Sequence, residues 1–195
     1  MASPKATPKP AQAAASAAPG TLFSDNFAAD AVGANPPANW TVASGAWNGV
    51  IMDGAAHAVQ HGAAFGLITA GAATWTDYSV SVDVKIPTGT SFAAVAGRYT
   101  GLGSYYQCDV HNNNSLQLWL FNNGVQTMLS SMPATVDPNA FHTVKLGMKA
   151  DAIACTLDGT VAATAQDGTL TAGSIALAGG DGEQAEFTNV VVTPV

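Results

Sequence analysis

Two neighbouring segments of the chain alternate between apolar and polar side chains with the period of a β-strand. The first segment covers residues 105–111 and the second covers residues 115–121. Successive side chains on a strand point to opposite faces, so one set of residues is predicted to point inward. This set is Tyr106, Cys108, Val110, Leu116, Leu118 and Leu120. A register error of one residue would exchange the two faces.

The opposite face of this predicted hairpin combines aromatic rings with polar groups. Its members are Tyr105, Gln107, Asp109, His111, Gln117, Trp119 and Phe121. Aromatic rings offer flat apolar area, and the polar groups beside them can orient hydroxyl groups of a ligand. This face is therefore a candidate binding surface, although an exposed ring such as Trp119 can also mark a contact with another protein.

The rest of the chain after residue 20 has the same strand-and-turn pattern. Residues 78–86 and 141–148 alternate, and they point Tyr78, Val80, Val82, Val84, Ile86, Val144, Leu146 and Met148 inward. Asx-Gly dipeptides that favour tight turns begin at residues 48, 53, 123, 158, 167 and 181. The pattern predicts an all-β domain of two packed antiparallel sheets over residues 21–195. Its last strand, residues 187–192, is predicted to pair with its first strand, residues 22–27.

Composition and charge limit the classes of partner. Charged residues make up 10% of the chain, the net charge is −7, and two of the six Lys and Arg residues, Lys5 and Lys9, lie near the N-terminus. Without a basic patch the chain is a poor match for nucleic acid, and no apolar run is long enough for membrane insertion. Acidic polysaccharides are disfavoured for the same reason, unless a single arginine is well placed to neutralise them.

The first twenty residues differ from the rest of the chain. They are rich in Ala, Pro and Ser and have no apolar periodicity, which predicts a disordered linker or tail over residues 1–20. Such a tail is expected to tether the domain, for example to a larger surface assembly. The segment also lacks a hydrophobic signal core. We therefore expect an extracellular or surface-exposed protein whose signal peptide has been removed, or a component of a virus particle.

Cys108 and Cys155 are the two cysteines of the chain, and both fall on inward sides of predicted strands. If these strands face each other across the sandwich, the cysteines can form one disulfide through the core in an oxidising compartment. The alternative is two buried thiols that act as small apolar side chains. The sequence leaves both interpretations open.

A series of short motifs carries a family resemblance. They lie at residues 22–27, 40–47, 75–80, 96–99, 105–106, 141–146, 157–159 and 185–192. Their order and spacing resemble the concanavalin A-like lectin/glucanase superfamily, in its laminin G-like branch, over residues 21–195. The resemblance implies a jelly-roll sandwich with a concave sheet on which many members bind glycans. It also implies that Arg98 lies with the 105–121 hairpin on that concave side, and that Trp40, Trp47 and Trp75 belong to the core.

The resemblance further implies a structural calcium ion where the first and last strands meet. Asp25 is the candidate ligand in the first strand, and Asn189 stands in the last strand where the resembling domains carry Asp. Carboxylate, amide and backbone oxygens are suitable Ca²⁺ ligands, but Asp25 can equally serve only to cap a turn. His57 and His61 are a conceivable metal pair, and without a third ligand we interpret them as surface histidines.

Catalysis is disfavoured by the acidic residues available. A glycosidase needs two carboxylates flanking the scissile bond, whereas the candidate face has only Asp109, and the two glutamates, Glu183 and Glu186, lie near the C-terminal strand. The Glu-x-Asp-x-Glu strand of the superfamily's glucanases is absent from the sequence.

A polysaccharide lyase needs a base, an acid and a group that neutralises a uronate. Tyr105, His111 and Arg98, with Gln107 nearby, could supply these, although the strand motifs of jelly-roll lyases are missing.

The sequence therefore predicts a non-catalytic carbohydrate-binding domain. Its predicted ligand residues are Arg98, Tyr105, Gln107, Asp109, His111, Gln117 and Trp119. The alternative from another class is a structural or adhesive surface or virion domain without a sugar site, and a polysaccharide lyase is a second alternative. An open concave face favours binding, whereas a face covered by a loop or a subunit favours the structural role.

Overall fold

The regular structure of this protein consists of β-strands. The computed structural model describes residues 20–52, 56–62, 65–180 and 182–195. The strands are β1 (Phe23–Asp25), β2 (Thr41–Ser44), β3 (Trp47–Met52), β4 (Ala56–Gly62), β5 (Gly66–Ala70), β6 (Tyr78–Lys85), β7 (Phe92–Gly101), β8 (Ser104–His111), β9 (Ser115–Asn122), β10 (Val125–Pro133), β11 (His142–Lys149), β12 (Ala152–Leu157), β13 (Val161–Gln166), β14 (Ser174–Gly179) and β15 (Gly182–Pro194). The described residues contain no helix of the length and apolarity needed to cross a membrane.

The strands form two antiparallel sheets. The eight-stranded sheet has the order β13-β12-β11-β6-β15-β4-β3, with β1 paired to β15, and the seven-stranded sheet has the order β10-β9-β8-β7-β14-β5-β2. The chain crosses repeatedly from one sheet to the other, as between β6 and β7 and between β13 and β14. This two-sheet jelly-roll sandwich confirms the predicted fold class. The predicted pairing of the first and last strands is also confirmed, because Phe23 lies opposite Val192.

The core lies between the two sheets and is filled by the predicted inward side chains. Val80, Val82 and Val84 of β6 and Val144 and Leu146 of β11 are all fully buried. Burying one such side chain contributes roughly 1.5–3 kcal/mol through the hydrophobic effect. The alternation of these two strands therefore decides which side of the eight-stranded sheet faces the core.

Turn chemistry explains two of the hairpins. Asn123 and Gly124, between β9 and β10, have φ values of 50° and 83°, and Asp158 and Gly159, between β12 and β13, have 50° and 68°. Two consecutive positive φ values are what a type I′ hairpin turn requires. The turn predicted at residues 48–49 is wrong, because Gly49 lies inside β3 at a register shift. A Cβ atom there would lie 1.9 Å from the carbonyl oxygen of Ala34.

Some residues of the predicted domain organisation lie outside the described part of the chain. Of the predicted linker at residues 1–20, only Gly20 is described. Asp53, Gly54 and Asp181, from the predicted turns, also lie outside the described residues.

Strand β10 forms one edge of the seven-stranded sheet. Its pairing with β9 shifts in register between Met128 and Ser130, and the strand ends at Pro133. Val125, Met128 and Met132 are exposed along it. This edge therefore combines apolar side chains with an irregular backbone.

Cys108 of β8 and Cys155 of β12 connect the two sheets through the core. They form a disulfide with a Cα–Cα distance of 5.3 Å, which is within the range that such a bond spans. Both residues are fully buried. Of the two interpretations that the sequence left open, the structure contains the bridge.

Replacing both cysteines by alanine should lower the free energy of unfolding by about 2–4 kcal/mol. The bridge closes a sequence separation of 47 residues, and its loss returns conformational freedom to the unfolded chain. Denaturant unfolding without reductant measures the difference. Reductant should destabilise the wild-type protein by a similar amount and leave the double variant unchanged. Equal unfolding midpoints without reductant would contradict a formed bridge.

Candidate functional site

The outer face of the seven-stranded sheet, on the side away from the core, brings most of the predicted site residues together. The register pairs Tyr105 with Phe121, Gln107 with Trp119, Asp109 with Gln117 and His111 with Ser115. Leu116, Leu118 and Leu120 belong to the core between the sheets. The predicted assignment of the two faces is therefore confirmed, and the register is not displaced by one residue.

Beside β8, the same face is built from small side chains. Ala94, Ala96, Ala176 and Ala178, from β7 and β14, are buried in a cluster separate from the main core. Ala94 lies opposite Asp109 and Ala96 opposite Gln107. Because alanine side chains are short, the floor of this face is lower than the larger side chains around it.

Aromatic rings stand at both ends of the face. At one end Tyr105 stacks on Phe121 with 4.4 Å between ring centroids, and Tyr99 lies 5.7 Å from Tyr105. At the other end the Phe92 ring lies 5.2 Å from the His111 ring. Tyr105 is only 1% exposed. Its ring therefore supports Phe121 and Tyr99, and the prediction that this ring could itself serve as a binding platform is wrong.

Asp109 lies on the floor between these aromatic ends and is 3% exposed. Its Oδ2 atom is 3.4 Å from Nε2 of His111, while its Oδ1 atom has no hydrogen-bond partner among the described residues. Burial raises the pKa of Asp109, and the hydrogen bond and charge of His111 oppose that rise only in part. A buried carboxylate with an unpartnered oxygen costs stability.

Gln107 adds a second unpartnered oxygen to the floor. It is buried beside Asp109 on β8, and its side chain interacts with the Asp109 carboxylate. The Gln107 amide opposes in part the rise that burial causes in the pKa of Asp109. The Oε1 atom of Gln107 has no partner among the described residues. Both unpartnered atoms of the floor are acceptors that are closed to solvent. The prediction that Gln107 and Asp109 contact a ligand directly is therefore wrong, as it is for Tyr105.

Replacing Asp109 by asparagine should raise the free energy of unfolding at neutral pH by about 1–3 kcal/mol, because it removes an incompletely paired buried charge. The folded-state pKa of Asp109 is raised, so between the unfolded and folded pKa values only the folded protein holds the proton. The free energy of unfolding of the wild-type protein should therefore fall as pH rises through that window. The variant should lack this part of the pH dependence. Denaturant unfolding from pH 3 to pH 8 measures it.

The exposed Asp151 offers a matched control for this change. Asp151→Asn should leave stability within about 0.5 kcal/mol of wild type. A marked loss of stability in Asp109→Asn at neutral pH would contradict the burial cost assigned to this carboxylate.

A chain of hydrogen bonds along β9 orients Trp119. The indole Nε1 atom donates to Oε1 of Gln117 at 3.0 Å, Nε2 of Gln117 donates to Oγ of Ser115 at 2.9 Å, and that hydroxyl donates to Oδ1 of Asn113 at 2.6 Å. The bonds satisfy the polar edge of the indole. The ring of Trp119 is thus held half-buried on the outer face, next to the edge strand β10.

Arg98 does not share this face, and its predicted placement there is wrong. The register of β7 shifts after Gly97, and Arg98 has a φ of 47°, so its side chain does not follow the alternation. The guanidinium donates to the carbonyl oxygens of Thr76, Ala150 and Leu170 at 3.1, 2.9 and 2.8 Å. It also lies 3.4 Å from Oδ1 of Asp77. With 1% exposure, Arg98 fastens three connecting segments together.

The two predicted calcium ligands lie near each other but have other partners. Asp25 lies opposite Val190, the neighbour of Asn189. The Asp25 oxygens accept hydrogen bonds from the backbone N–H of Phe27 and from Nε1 of Trp40, and Nδ2 of Asn189 donates to Asp83. The pair therefore does not form a ready oxygen cage, and calcium binding remains a prediction.

The predicted surface position of His57 is wrong. His57 is 4% exposed, and its ring stacks on Phe141 with 4.9 Å between centroids. The side chain of His61 lies outside the described residues. Within the described part of the chain, no group of three or more His, Cys, Asp or Glu side chains could hold a metal ion.

A groove with a volume of about 610 Å³ lies elsewhere, against β11, β12 and β13 of the eight-stranded sheet. Lys145, Gly147, Lys149, Ala154 and Gln166 are among its lining residues. None of the predicted site residues lines it, and its lining contains neither carboxylate side chains nor aromatic rings. The chemistry of the chain therefore points to the outer face of the seven-stranded sheet instead.

Sequence comparison identifies the family. Residues 27–193 match the profile of the family described as the 3-keto-α-glucoside-1,2-lyase-like domain. The chain belongs to this family. No curated protein matches it in sequence.

Solved structures similar to this 3-keto-α-glucoside-1,2-lyase-like domain share its fold. The carbohydrate binding module CBM66 from Bacillus subtilis is 21% identical with a TM-score of 0.68, over 80% of this chain and 95% of that one. A β-glucanase from Bacillus licheniformis is 18% identical with a TM-score of 0.62, over 90% and 98%. The GH43 protein BlXynB from Bacillus licheniformis is 13% identical with a TM-score of 0.67, over 88% and 39%.

The family match confirms the predicted membership in the concanavalin A-like lectin/glucanase superfamily, and the solved structures have the same fold. At such identities they establish the fold alone. The laminin G-like branch remains a prediction.

Sequence reasoning missed part of the outer face of this 3-keto-α-glucoside-1,2-lyase-like domain. The missed residues are Phe92, Ala94, Ala96, Tyr99, Ala176 and Ala178. The alternation of β7 contained a signal, because Phe92, Ala94 and Ala96 occupy one face while Val95 points into the core. Strand β14 gave no such signal, since all six of its residues are buried.

Proposed function

We propose that this 3-keto-α-glucoside-1,2-lyase-like domain is a non-catalytic carbohydrate-binding domain whose ligand lies on the outer face of the seven-stranded sheet. The observation that carries the proposal is the ring of Trp119, which lies half-buried on this face and is held by its hydrogen bond to Gln117, together with the partly exposed rings of Phe92, Tyr99 and Phe121. A sugar presents hydroxyl donors along its edge and C–H groups on its face. It can therefore pack its C–H face on an aromatic ring while its hydroxyl groups bond to partly exposed polar side chains such as Gln117 and His111.

The relatives support a carbohydrate ligand for this face. One similar structure is named a carbohydrate binding module and another a β-glucanase. The face is also formed mainly by side chains of regular strands, which hold a site more rigidly than loops do.

An elimination reaction is the second candidate function, and two observations favour it. The matched family is described as lyase-like, and the Asp109 carboxylate, whose pKa is raised by burial, lies 3.4 Å from the imidazole of His111. A carboxyl group and an imidazole in such proximity can transfer protons as acid and base. The polysaccharide lyase considered from the sequence is weakened, because Arg98, its predicted partner for a uronate, is used elsewhere.

A glycan array with the purified chain tests the proposal, with Trp119→Ala as the matched negative control. Binding of at least one glycan by the wild-type protein and not by the variant is the expected result. Incubation of the selected glycan with the protein, followed by analysis of released sugars, should show no product. Release of unsaturated or shortened sugars would favour the lyase-like function, and binding of no glycan would favour a structural role.

The disulfide supports the extracellular or surface location that we propose for this domain. Structural disulfides form and persist mainly in oxidising compartments, and Cys108 and Cys155 are bonded in the core. An exported domain would also meet the polysaccharides that the proposed site binds.

A further inference from the structure

The groove of about 610 Å³ against β11, β12 and β13 lies on the outer face of the eight-stranded sheet. Leu146 and Met148 of β11 belong to the core, so Lys145, Gly147 and Lys149, which alternate with them, point outward. All three line the groove. Its volume falls within the range of ligand pockets, roughly 300–1,000 Å³. The groove is therefore a candidate site on the other side of the sandwich from the proposed carbohydrate site.

Two lysines without an acidic partner meet at this groove. Of the six Lys and Arg residues of the chain, four are described. Lys85 pairs with Glu186, and Arg98 donates to backbone carbonyl groups. Lys145 and Lys149 are exposed, and neither lies within ion-pair distance of a carboxylate in the described part of the chain. Both ammonium groups are thus available to a ligand.

The charge in the groove has the opposite sign to the net charge of the chain, which is −7. The lining contains the two lysines and no carboxylate side chain. Val195 also lines the groove, but its α-carboxylate is not within ion-pair distance of either lysine. In a concave site with an apolar floor, attraction between an ammonium group and an anion is screened less than on an open surface. The groove therefore favours a ligand with acidic groups.

The floor between the lysines is made of small residues. Gly147 pairs with Ser79 of β6 and with Ala154 of β12, and Ala154 pairs with Thr164 of β13. Because neighbouring strands lie roughly 4.8 Å apart, this row is about 14 Å long. Gly147 lies at no register shift, and a Cβ atom there would be 3.9 Å from its nearest neighbour, the carbonyl oxygen of Ala154. The space above the glycine is therefore open to a ligand.

The polar groups around the floor fit an acidic carbohydrate better than an acidic peptide. Ser79 and Thr164 offer hydroxyl groups and Gln166 an amide, which can pair with the hydroxyl groups of a sugar. Strands β11 and β12 are paired on both sides, so a peptide cannot join them as an additional strand. The lining contains no aromatic ring, so the ammonium groups must supply most of the attraction.

We propose that this groove is a second binding site, for oligosaccharides that carry uronate or sulfate groups. The Cα atoms of Lys145 and Lys149, four strand residues apart, are separated by about 13 Å. A sugar chain that lies along the floor row therefore has one ammonium group on each side, and each contacts an acidic group. The site goes beyond the proposed function, because it lies on the other sheet. The disfavour of acidic polysaccharides that follows from net charge has its local exception here.

The test is calorimetric titration of the purified chain with four hexameric probes. These are galacturonate hexamer, a sulfated hexasaccharide derived from heparin, neutral galactose hexamer and hexaglutamate. Titrations use the wild-type protein and Trp119→Ala, in which the proposed carbohydrate site is removed. At least one acidic sugar should bind both proteins equally, and should bind Trp119→Ala at least tenfold more tightly than the neutral hexamer and hexaglutamate do. Raising the salt from about 0.05 M to about 0.5 M should weaken this binding about tenfold, because salt screens exposed charges.

Variants connect the binding to the groove. Lys145→Gln and Lys149→Gln should each weaken binding of the acidic hexamer, and the double variant should weaken it at least tenfold, whereas replacing both by arginine should preserve it. Thr41→Glu makes the same change in net charge as one Lys→Gln substitution, on the exposed edge strand β2 of the other sheet, and should leave the affinity unchanged. Gly147→Leu should block binding by filling the groove without lowering the free energy of unfolding.

The outcomes separate the two proposals. Binding of neither acidic sugar, or undiminished binding in the double lysine variant, would overturn the second site and leave the proposed function intact. Loss of acidic binding in Trp119→Ala would also overturn it, because the ligand would then lie on the seven-stranded sheet. Equal or tighter binding of hexaglutamate would overturn the assignment to carbohydrate. A negative glycan array for neutral sugars, with acidic binding retained, would overturn the proposed function alone.

Discussion

Trp119→Ala should abolish measurable glycan binding, a loss of more than about 2 kcal/mol of binding free energy. The Trp119 ring is the oriented apolar platform of the outer face, because the bonds from Nε1 to Gln117 and onward to Ser115 hold it in place. The same substitution should change the free energy of unfolding by about 1 kcal/mol or less, since the ring is only half-buried and its removal leaves no closed cavity. Calorimetric titration and denaturant unfolding of the same sample measure both quantities.

The neighbouring Leu118 provides the matched control, because its side chain points to the opposite side of the same strand. Leu118 is fully buried in the main core, so Leu118→Ala should cost about 2–5 kcal/mol of stability. The folded fraction of this variant should still bind glycan with wild-type affinity. If Trp119→Ala unfolds the protein while Leu118→Ala is harmless, the assignment of the two faces is wrong.

Arg98→Met should lower the free energy of unfolding by about 3–5 kcal/mol. Methionine preserves much of the apolar stem but removes the donors to the carbonyl oxygens of Thr76, Ala150 and Leu170, and unpaired buried carbonyl groups are costly. Arg98→Lys should be intermediate, because one ammonium group cannot reproduce the geometry of the guanidinium. Denaturant unfolding at neutral pH measures both variants.

Lys145→Met is the control for this prediction, because Lys145 is exposed and its loss should change stability by less than about 0.5 kcal/mol. A similarly small effect of Arg98→Met would show that the three connecting segments do not depend on the guanidinium. If Arg98→Met instead removed glycan binding while leaving stability unchanged, Arg98 would be a ligand residue after all.

The features that the sequence predicted well follow from the two-residue period of a strand. One face of β9 is occupied by Leu116, Leu118 and Leu120, so Trp119 must lie on the opposite face. Hairpin turns at Asn123 and Asp158 were equally predictable, because few residues tolerate the positive φ values that such turns require.

The placement of Arg98 could not be predicted from the same rule. A register shift in β7 interrupts the alternation after Gly97, and the positive φ of Arg98 has no signature in the residue type, since arginine rarely adopts it. The partners of the guanidinium are backbone carbonyl groups from three distant segments. Backbone acceptors exist in every residue, so the sequence cannot indicate which of them a buried arginine will use.

The burial of side chains on the outer face could not be predicted from the sequence either. Alternation assigns Asp109 and Gln107 to the polar side of β8 but does not say that this side is buried. Their burial depends on which strands flank β8 and on the size of side chains in them, such as Ala94 and Phe92. Those neighbours are fixed by the strand order, which local pattern does not encode.

The irregular edge strand β10 has a consequence for how this protein behaves at high concentration. An unpaired edge with exposed apolar side chains such as Val125 and Met132 is a natural template for a strand from another molecule, and continued addition leads to aggregation. The register shift after Met128 and the missing N–H of Pro133 interrupt the ladder that an incoming strand would need. Deleting Leu129 would make this edge strand regular, and such a variant is therefore expected to be less soluble than the wild-type protein.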